Sequence, residues 1–153
     1  LIESWRRDAP STHLYKSHFV SIHAVLNDET RHLVGKNELA QMKESASLIN
    51  VSRGVIVDEH ALLSALQDGS IAGAGLDVFG LEPLDRTEHP LAALYDMPNV
   101  ILTPHLAFYT RQAMERLEIE VLERCRELLE GRPVTIKSDD PRLRAQRGAF
   151  RFA

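Results

Sequence analysis

Four short apolar runs, separated by segments with helical spacing, limit the folds open to this chain more than any other feature. An alternation of this kind is typical of βαβ units and predicts a parallel sheet with flanking helices. The runs are apolar throughout instead of alternating with polar residues, which favours strands covered on both faces. The predicted strands cover residues 19–23, 47–51, 75–79 and 99–103.

Three segments have the spacing and boundary signals of helices. Asp58 stands where it would cap the second of them, and Gly69 stands just past its end. Gly73-Ala74-Gly75 precedes the third apolar run and predicts a tight turn. The predicted helices cover residues 36–43, 59–67 and 111–130.

Composition narrows the class of protein. A net charge of −4 without a basic cluster argues against a nucleic-acid partner. No apolar run approaches the roughly 18–20 residues that span a bilayer, and the first residues lack a secretory pattern, so no membrane partner is expected. Cys125 is the single cysteine, which excludes an internal disulfide and favours a reducing, cytoplasmic location. It lies on the apolar side of the third predicted helix and is expected to be buried.

The patterned part of the chain stops short of both termini. Residues 17–134 are predicted to form the α/β domain, residues 1–16 are an unassigned N-terminal segment, and residues 135–153 are predicted to be a polar tail. The chain begins at Leu1 and not at Met, so we expect it to be a piece, or a processed product, of something longer.

Three charged residues follow three of the predicted strands: Arg53, Glu82 and His105. In open α/β sheets, ligands bind beyond the carboxyl ends of the strands. A guanidinium can grip a carboxylate, a carboxylate can orient an imidazole, and an imidazole can move a proton near neutral pH. Together these groups provide the chemistry that interconverts a 2-hydroxy acid and a 2-keto acid.

Each of these residues also has an ordinary structural interpretation. Arg53 could cap a helix or face solvent, Glu82 could belong to a turn, and His105 could be a satisfied loop histidine. Asp77 could be a turn carboxylate that accepts hydrogen bonds from nearby backbone. Three complementary groups at three strand ends favour the functional interpretation.

Five blocks of the sequence, in order and with matching spacing, resemble the D-isomer-specific 2-hydroxyacid dehydrogenase family. The resemblance extends from about residue 17 to about residue 134, and the segment from His105 to Thr110 resembles the D-lactate dehydrogenase branch. It implies that residues 17–134 are the C-terminal part of a nicotinamide dinucleotide-binding domain. The blocks cover residues 21–23, 29–35, 48–58, 74–83 and 98–105.

The resemblance implies an oxidoreductase that uses NAD to interconvert a small 2-hydroxy acid and its 2-keto acid, such as D-lactate and pyruvate. Arg53 would bind the substrate carboxylate, with Tyr109 as a second substrate-binding residue. His105 would be the general acid of reduction and the base of oxidation, and Glu82 would fix its tautomer. The residues implied in cofactor binding are His23, Asn50, Val51, Ser52, Asp77 and His105.

The sequence also departs from the family. It has no glycine-rich dinucleotide fingerprint and no preceding substrate domain, so we expect a partial doubly wound, Rossmann-like sheet without its first βαβ unit. Weak activity of this chain is expected, and an exposed sheet edge makes a homodimer plausible. No metal site is predicted, because His13, His18, His23 and His32 lie five, five and nine residues apart and no two share a helical face.

Two alternatives to an enzyme remain open at this point. One is a non-catalytic, NAD(H)-sensing module that recruits other proteins, as corepressors with the same fold do. The other is an inactive, truncated remnant. Within the enzyme class, glyoxylate or hydroxypyruvate reductases and phosphoglycerate dehydrogenases are further possibilities.

Overall fold

A computed structural model of the protein describes residues 14–133. These residues belong to two compact units, one that runs through Ala107 and one that begins at Phe108. The predicted tail at 135–153 and almost all of the predicted N-terminal segment lie outside the described residues.

Four parallel strands form the sheet of the first unit and follow one another in chain order: β1 (Phe19–Ile22), β2 (Ser47–Asn50), β3 (Gly73–Leu76) and β4 (Val100–Leu102). The parallel, Rossmann-like α/β fold expected from the sequence is therefore confirmed. The last residues of the strands stand opposite one another, so all four carboxyl ends reach one rim of the sheet. These residues are Ile22, Asn50, Leu76 and Leu102.

The first two connections between strands carry the helices of this unit. Helix α1 (Lys36–Leu39) follows β1 and ends earlier than predicted, whereas α2 (Glu59–Gln67) follows β2 with the predicted boundaries. The Oδ1 atom of Asp58 accepts a hydrogen bond from Ala61 N at 3.1 Å, so the predicted cap is confirmed. Gly69 has a φ of +75°, which explains why a glycine ends this helix.

The core of the first unit lies between the sheet and these helices. Leu14 is 1% exposed within it, although no sequence pattern marks that part of the chain. Phe19 on β1 and Ile101 on β4 are each 71% exposed. The predicted cover on both faces of the sheet is therefore incomplete within the described residues. The most deeply buried core side chains include Leu39, Leu48, Ile56, Leu62, Ile71 and Leu94.

Helix α3 (Arg111–Leu129) makes up most of the described part of the second unit. It begins at Thr110, whose hydroxyl oxygen accepts a hydrogen bond from Ala113 N at 3.2 Å. The predicted burial of Cys125 is wrong, because this side chain is exposed. Leu122, on the same apolar side of the helix, is 63% exposed as well. The apolar spacing of the helix therefore did not mean that these side chains are buried. No helix within residues 14–133 is long and apolar enough to cross a membrane.

The tight turn predicted at Gly73-Ala74-Gly75 is also wrong, because these residues form most of β3. A glycine at position 73 is instead required by close approach of two chain segments. A Cβ atom there would lie 2.4 Å from the carbonyl oxygen of Asn99, just before β4. The same carbonyl accepts a hydrogen bond from Ala74 N, so it cannot move away without breaking the sheet.

We therefore expect Gly73→Ala to destabilise the protein by about 1–3 kcal/mol, since the added methyl group overpacks a fixed backbone contact. Gly75→Ala is the matched control, because its Cβ would meet only Ile49 Cγ1 at 3.8 Å, an ordinary contact. Urea unfolding of both variants measures the difference. Equal stability of the two variants would contradict this explanation of Gly73.

Candidate active site

The turn that carries Arg53 is shaped by the last residue of β2. Asn50 is 1% exposed; its Nδ2 donates to Arg53 O at 2.9 Å, and its Oδ1 accepts from Ser52 N at 3.1 Å. Ser52 Oγ donates to Ile22 O at 2.9 Å, which ties this turn to the end of β1. The exposed Arg53 guanidinium gives one hydrogen bond to Ser52 O, and most of its five donors remain for a ligand.

Gly54 brings the Arg53 turn against the loop that carries Glu82. A Cβ atom on Gly54 would lie 2.0 Å from the carbonyl carbon of Phe79 and 2.2 Å from the nitrogen of Gly80. Only a residue without a side chain allows the two backbones to meet this closely. The sequence Arg53-Gly54 therefore sets how near the guanidinium can come to the second loop.

Glu82 and His105 form a hydrogen-bonded pair. The Nδ1 atom of His105 lies 2.8 Å from Oε2 of Glu82, while Oε1 of Glu82 accepts from Phe79 N at 2.9 Å. Both side chains remain reachable, because His105 is 42% exposed and Glu82 36% exposed. The sequence hypothesis that this carboxylate orients this imidazole is consistent with the geometry.

The charge state of Glu82 decides which ring nitrogen of His105 carries the proton. The hydrogen bond from His105 holds the pKa of Glu82 below its usual value, with further help from Phe79 N and the positive charge of Arg53. An ionised carboxylate can only accept hydrogen bonds, so Nδ1 must be the donor. Nε2 then points away from Glu82 as the atom free for proton transfer.

Asp77 fixes the loop in which His105 stands. His105 has a φ of +56°, in the left-handed region that residues with side chains seldom occupy. One oxygen of Asp77 accepts hydrogen bonds from the Thr103 hydroxyl and, at 2.8 Å, from Leu106 N; the other accepts from Ala107 N at 2.8 Å. The carboxylate thus holds the residues on both sides of His105.

Asp77 is 3% exposed, and its burial favours the neutral acid. The hydrogen bonds from Thr103, Ala107 and Leu106 outweigh that burial, so the pKa of Asp77 lies below its ordinary value. The interpretation of Asp77 as a turn carboxylate, weighed from the sequence, describes these contacts. These three hydrogen bonds fill three of its roughly four acceptor positions.

Two residues near the site were not singled out from the sequence. Glu59 accepts a hydrogen bond from Gly80 N at 2.7 Å. His89 is 7% exposed; its Nδ1 accepts from Leu91 N, so its Nε2 donates to Leu81 O, at 3.0 Å. Both brace the loop before Glu82. Their partners are backbone atoms, 21 residues away for Glu59 and eight and two residues away for His89, and no sequence motif marks such contacts.

An open cavity of about 560 Å³ borders the Glu82–His105 pair. Its size falls in the range of small-molecule sites. Apolar and aromatic side chains form most of its wall, and the polar groups of the pair lie at its edge. Besides Glu82 and His105, the residues that line the cavity are Phe79, Pro83, Leu84, Tyr95, Leu102, Thr103 and Pro104.

Two further residues, His23 and Tyr109, were predicted from the sequence to bind cofactor or substrate. His23 is exposed just after β1 and its Nε2 lies 2.8 Å from Ser21 Oγ. Tyr109 is 66% exposed and belongs to the second unit, where its ring meets Phe108 edge to face. Their predicted binding roles stay predictions.

Comparison with known proteins places residues 3–107 under the family model described as D-isomer specific 2-hydroxyacid dehydrogenase, NAD binding domain. A glyoxylate reductase of Aeropyrum pernix is 49% identical over 110 residues, which are 72% of this chain and 32% of that protein. A glycerate dehydrogenase of Methylorubrum extorquens is 38% identical over 125 residues, or 82% of this chain and 39% of that protein. The chain thus spans about a third of the length of these relatives.

A solved structure of D-lactate dehydrogenase with NAD+ from Lactobacillus jensenii is similar to this chain. The TM-score is 0.72 and the identity 34%, over 82% of this chain and 41% of that one. The similarity therefore extends from sequence to the arrangement of the sheet and its helices.

The groups on the rim fit the nicotinamide end of a dinucleotide. The Asp77 carboxylate provides acceptor oxygens of the kind that a carboxamide N–H needs, and the half-buried Val51 and Ser52 present backbone beyond β2. Asn50 uses both ends of its amide within the turn, so its side chain contributes by shaping that turn. No glycine-rich phosphate loop occurs in the sequence, so the fit concerns this end alone.

We expect Asp77→Asn to lower stability and to reduce its loss in acid. Because the folded-state pKa of Asp77 lies below its ordinary 3.8, its stabilising effect is complete above that value and disappears as the pH falls through the lowered pKa. At neutral pH the asparagine should cost about 1–3 kcal/mol, since an amide N–H would face Ala107 N–H. Thermal unfolding from roughly pH 2 to 7 measures both effects.

Thr103→Val is the comparison variant, because it removes one hydroxyl donor and leaves the carboxylate and its two backbone bonds in place. It should lose part of the acid dependence, because the Thr103 hydroxyl is the largest of the causes that lower the pKa of Asp77, while the bonds from Ala107 N and Leu106 N remain. An Asp77→Asn variant with the stability and acid dependence of the unaltered chain would contradict the role given to this carboxylate.

Proposed function

The chain belongs to the D-isomer-specific 2-hydroxyacid dehydrogenase family, and we propose that it carries the acid–base and carboxylate-binding part of a site for hydride transfer between NAD(H) and a small 2-hydroxy or 2-keto acid. The observation that carries this proposal is the 2.8 Å contact between His105 Nδ1 and Glu82 Oε2. The positive charge of Arg53, which follows β2 on the same rim, helps to lower the pKa of Glu82. Acid, orienting base and anion-binding group therefore lie within one surface.

Arg53 binds the carboxylate of the substrate in this proposal. Its planar guanidinium can give two parallel hydrogen bonds to the two carboxylate oxygens, which fixes the substrate in orientation as well as in place. Asn50 and Gly54 hold the backbone on either side of this residue. The 2-keto carbon next to the bound carboxylate is thereby held in one position.

His105 moves the proton. In reduction, Nε2 donates its proton to the carbonyl oxygen while the carbon accepts a hydride, which is the chemistry that bound NADH supplies. In oxidation, the neutral ring takes the proton from the hydroxyl group through the same atom. Glu82 keeps Nδ1 protonated throughout and stabilises the imidazolium when it forms.

The substrate is proposed only as a class. Relatives carry the names glyoxylate reductase and glycerate dehydrogenase, and a similar solved structure is a D-lactate dehydrogenase. All three names refer to short 2-hydroxy or 2-keto acids, which the Arg53–Glu82–His105 group would treat alike. We propose weak turnover by this chain itself, because the exposed His105 and Glu82 leave the reacting centre open to water.

Turnover of NADH with glyoxylate, pyruvate or hydroxypyruvate tests the proposal. We expect a slow but measurable rate that falls by about 10²–10⁴-fold in His105→Asn, the usual contribution of a general acid. His60→Asn is the matched control, since His60 lies exposed on α2. A rate that persists in His105→Asn would reject the assigned role. If no rate is detected with any of the acids, the proposed activity of this chain is rejected.

Arg53→Lys should act mainly on substrate affinity. The lysine keeps the positive charge and loses the paired hydrogen bonds, which are worth about 1.5–3 kcal/mol for a charged group. The KM for the keto acid is therefore expected to rise about 10–100-fold, with less effect on kcat. An unchanged KM would show that another group binds the carboxylate.

A further inference from the structure

The loop from Phe79 to Glu82 presents two consecutive backbone N–H groups to two different carboxylates. Phe79 N donates to Oε1 of Glu82 itself at 2.9 Å. Gly80 N donates to Oε1 of Glu59 at 2.7 Å. The second bond plays no part in the proton chemistry, yet it lies one residue from the first.

Glu59 reaches this loop from a firmly held segment. It is the first residue of α2, directly after the capping residue Asp58. Asp58 N donates to Val34 O at 2.9 Å, and Val57 pairs with Val34 in an isolated parallel bridge. The carboxylate of Glu59 is therefore attached to a part of the backbone that is fixed on both sides.

The space around Gly80 is fitted to this contact. A Cβ atom on Gly80 would lie 2.9 Å from Oε2 of Glu59 and 3.1 Å from Cγ1 of Val55. Val55 follows Gly54, whose backbone already touches Phe79 and Gly80. The segment that carries Arg53 and the loop that carries Glu82 are thus in close backbone contact. The hydrogen bond from Gly80 N to Glu59 adds a second contact between them.

We propose that Glu59 is a positioning residue for the Glu82–His105 pair. By accepting the Gly80 N–H, Glu59 removes a donor that would otherwise compete with His105 for the Glu82 carboxylate. A carboxylate between two adjacent free N–H groups could turn both oxygens to the backbone and leave the imidazole. With Gly80 N occupied, one oxygen of Glu82 stays on Phe79 N and the other on His105. The effect of Glu59 on catalysis rests on the proposed function. Its effect on the geometry of the Glu82–His105 pair does not, and can be tested without substrate.

A purely structural role for Glu59 makes a different prediction. A negative charge in the first turn of a helix stabilises that helix through the helix dipole. On that interpretation, Glu59→Gln and Glu59→Ala would both lose the stabilisation of the helix, and neither change would alter the tautomer of His105. A positioning role needs only an acceptor oxygen, so the glutamine should preserve the pair and the alanine should not.

The test uses the full chain with ¹⁵N-labelled histidine, studied by NMR without cofactor or substrate at about pH 8, above the ordinary pKa of an imidazole. In the unaltered chain, His105 should show a protonated Nδ1 and an unprotonated Nε2. We expect Glu59→Ala to lose at least half of the difference between the two ring nitrogen shifts as the tautomers mix. Glu59→Gln should retain it.

Glu38→Ala is the matched control, because Glu38 accepts a hydrogen bond from another glycine, Gly35 N, at 3.0 Å and lies in α1. It should leave the His105 signals unchanged. Gly80→Ala crowds the same bond from the other partner, because its Cβ would lie 2.9 Å from Oε2 of Glu59, and should change the His105 signals in the same direction as Glu59→Ala, by a smaller amount. It also provides the comparison if Glu59→Ala does not fold, as judged by the other histidine signals.

Three results would overturn the proposal: an unaltered His105 tautomer in Glu59→Ala or in Gly80→Ala, equal loss in Glu59→Gln and Glu59→Ala, or equal loss in the Glu38→Ala control. Because no substrate is present, failure of hydride transfer would reject the proposed function and leave this result in place. If the unaltered chain turns over keto acids but the His105 tautomer is unchanged in Glu59→Ala, the positioning role is rejected and the proposed function stands.

Discussion

The geometry of the site depends on the hydrogen bonds that the buried carboxylate of Asp77 accepts. His105 stands in a backbone conformation that a residue with a side chain seldom adopts. Three hydrogen bonds to one carboxylate hold the loop on both sides of it. Burial raises the pKa of Asp77 and these hydrogen bonds lower it further than burial raises it, so the fold and the charge of this residue support each other.

Apart from the direct Glu82–His105 pair, the remaining parts of the site are joined by backbone contacts. The Arg53 turn meets the Glu82 loop where Gly54 touches Phe79 and Gly80. The His105 loop joins β3 through Asp77, while Thr103 N donates to Leu76 O at 2.9 Å. Charges placed in this way can act on one another, as the effect of Arg53 on the pKa of Glu82 shows, and still remain available to a ligand.

Much of the fold could be predicted because its signals are local. Apolar runs, a capping aspartate and a terminal glycine placed the boundaries of the strands and α2 to within three residues. Gly73 and Cys125 were misjudged for a shared reason. Gly73 must be a glycine because of the Asn99 carbonyl oxygen, 26 residues away in the sequence. Cys125 is exposed because no other element among residues 108–133 covers it. Neither fact is encoded in the neighbouring residues.

The sequence by itself determined which chemical groups stand at the ends of which strands, because parallel strands must bring their carboxyl ends to one rim. It also determined the family, through motifs that are contiguous in the chain. Only the tertiary structure decided how those groups are held: Asp77 as the clamp of the His105 loop, and Glu59 and His89 as braces of the Glu82 loop. These contacts join a side chain to backbone atoms of other segments, and backbone atoms are the same in every residue.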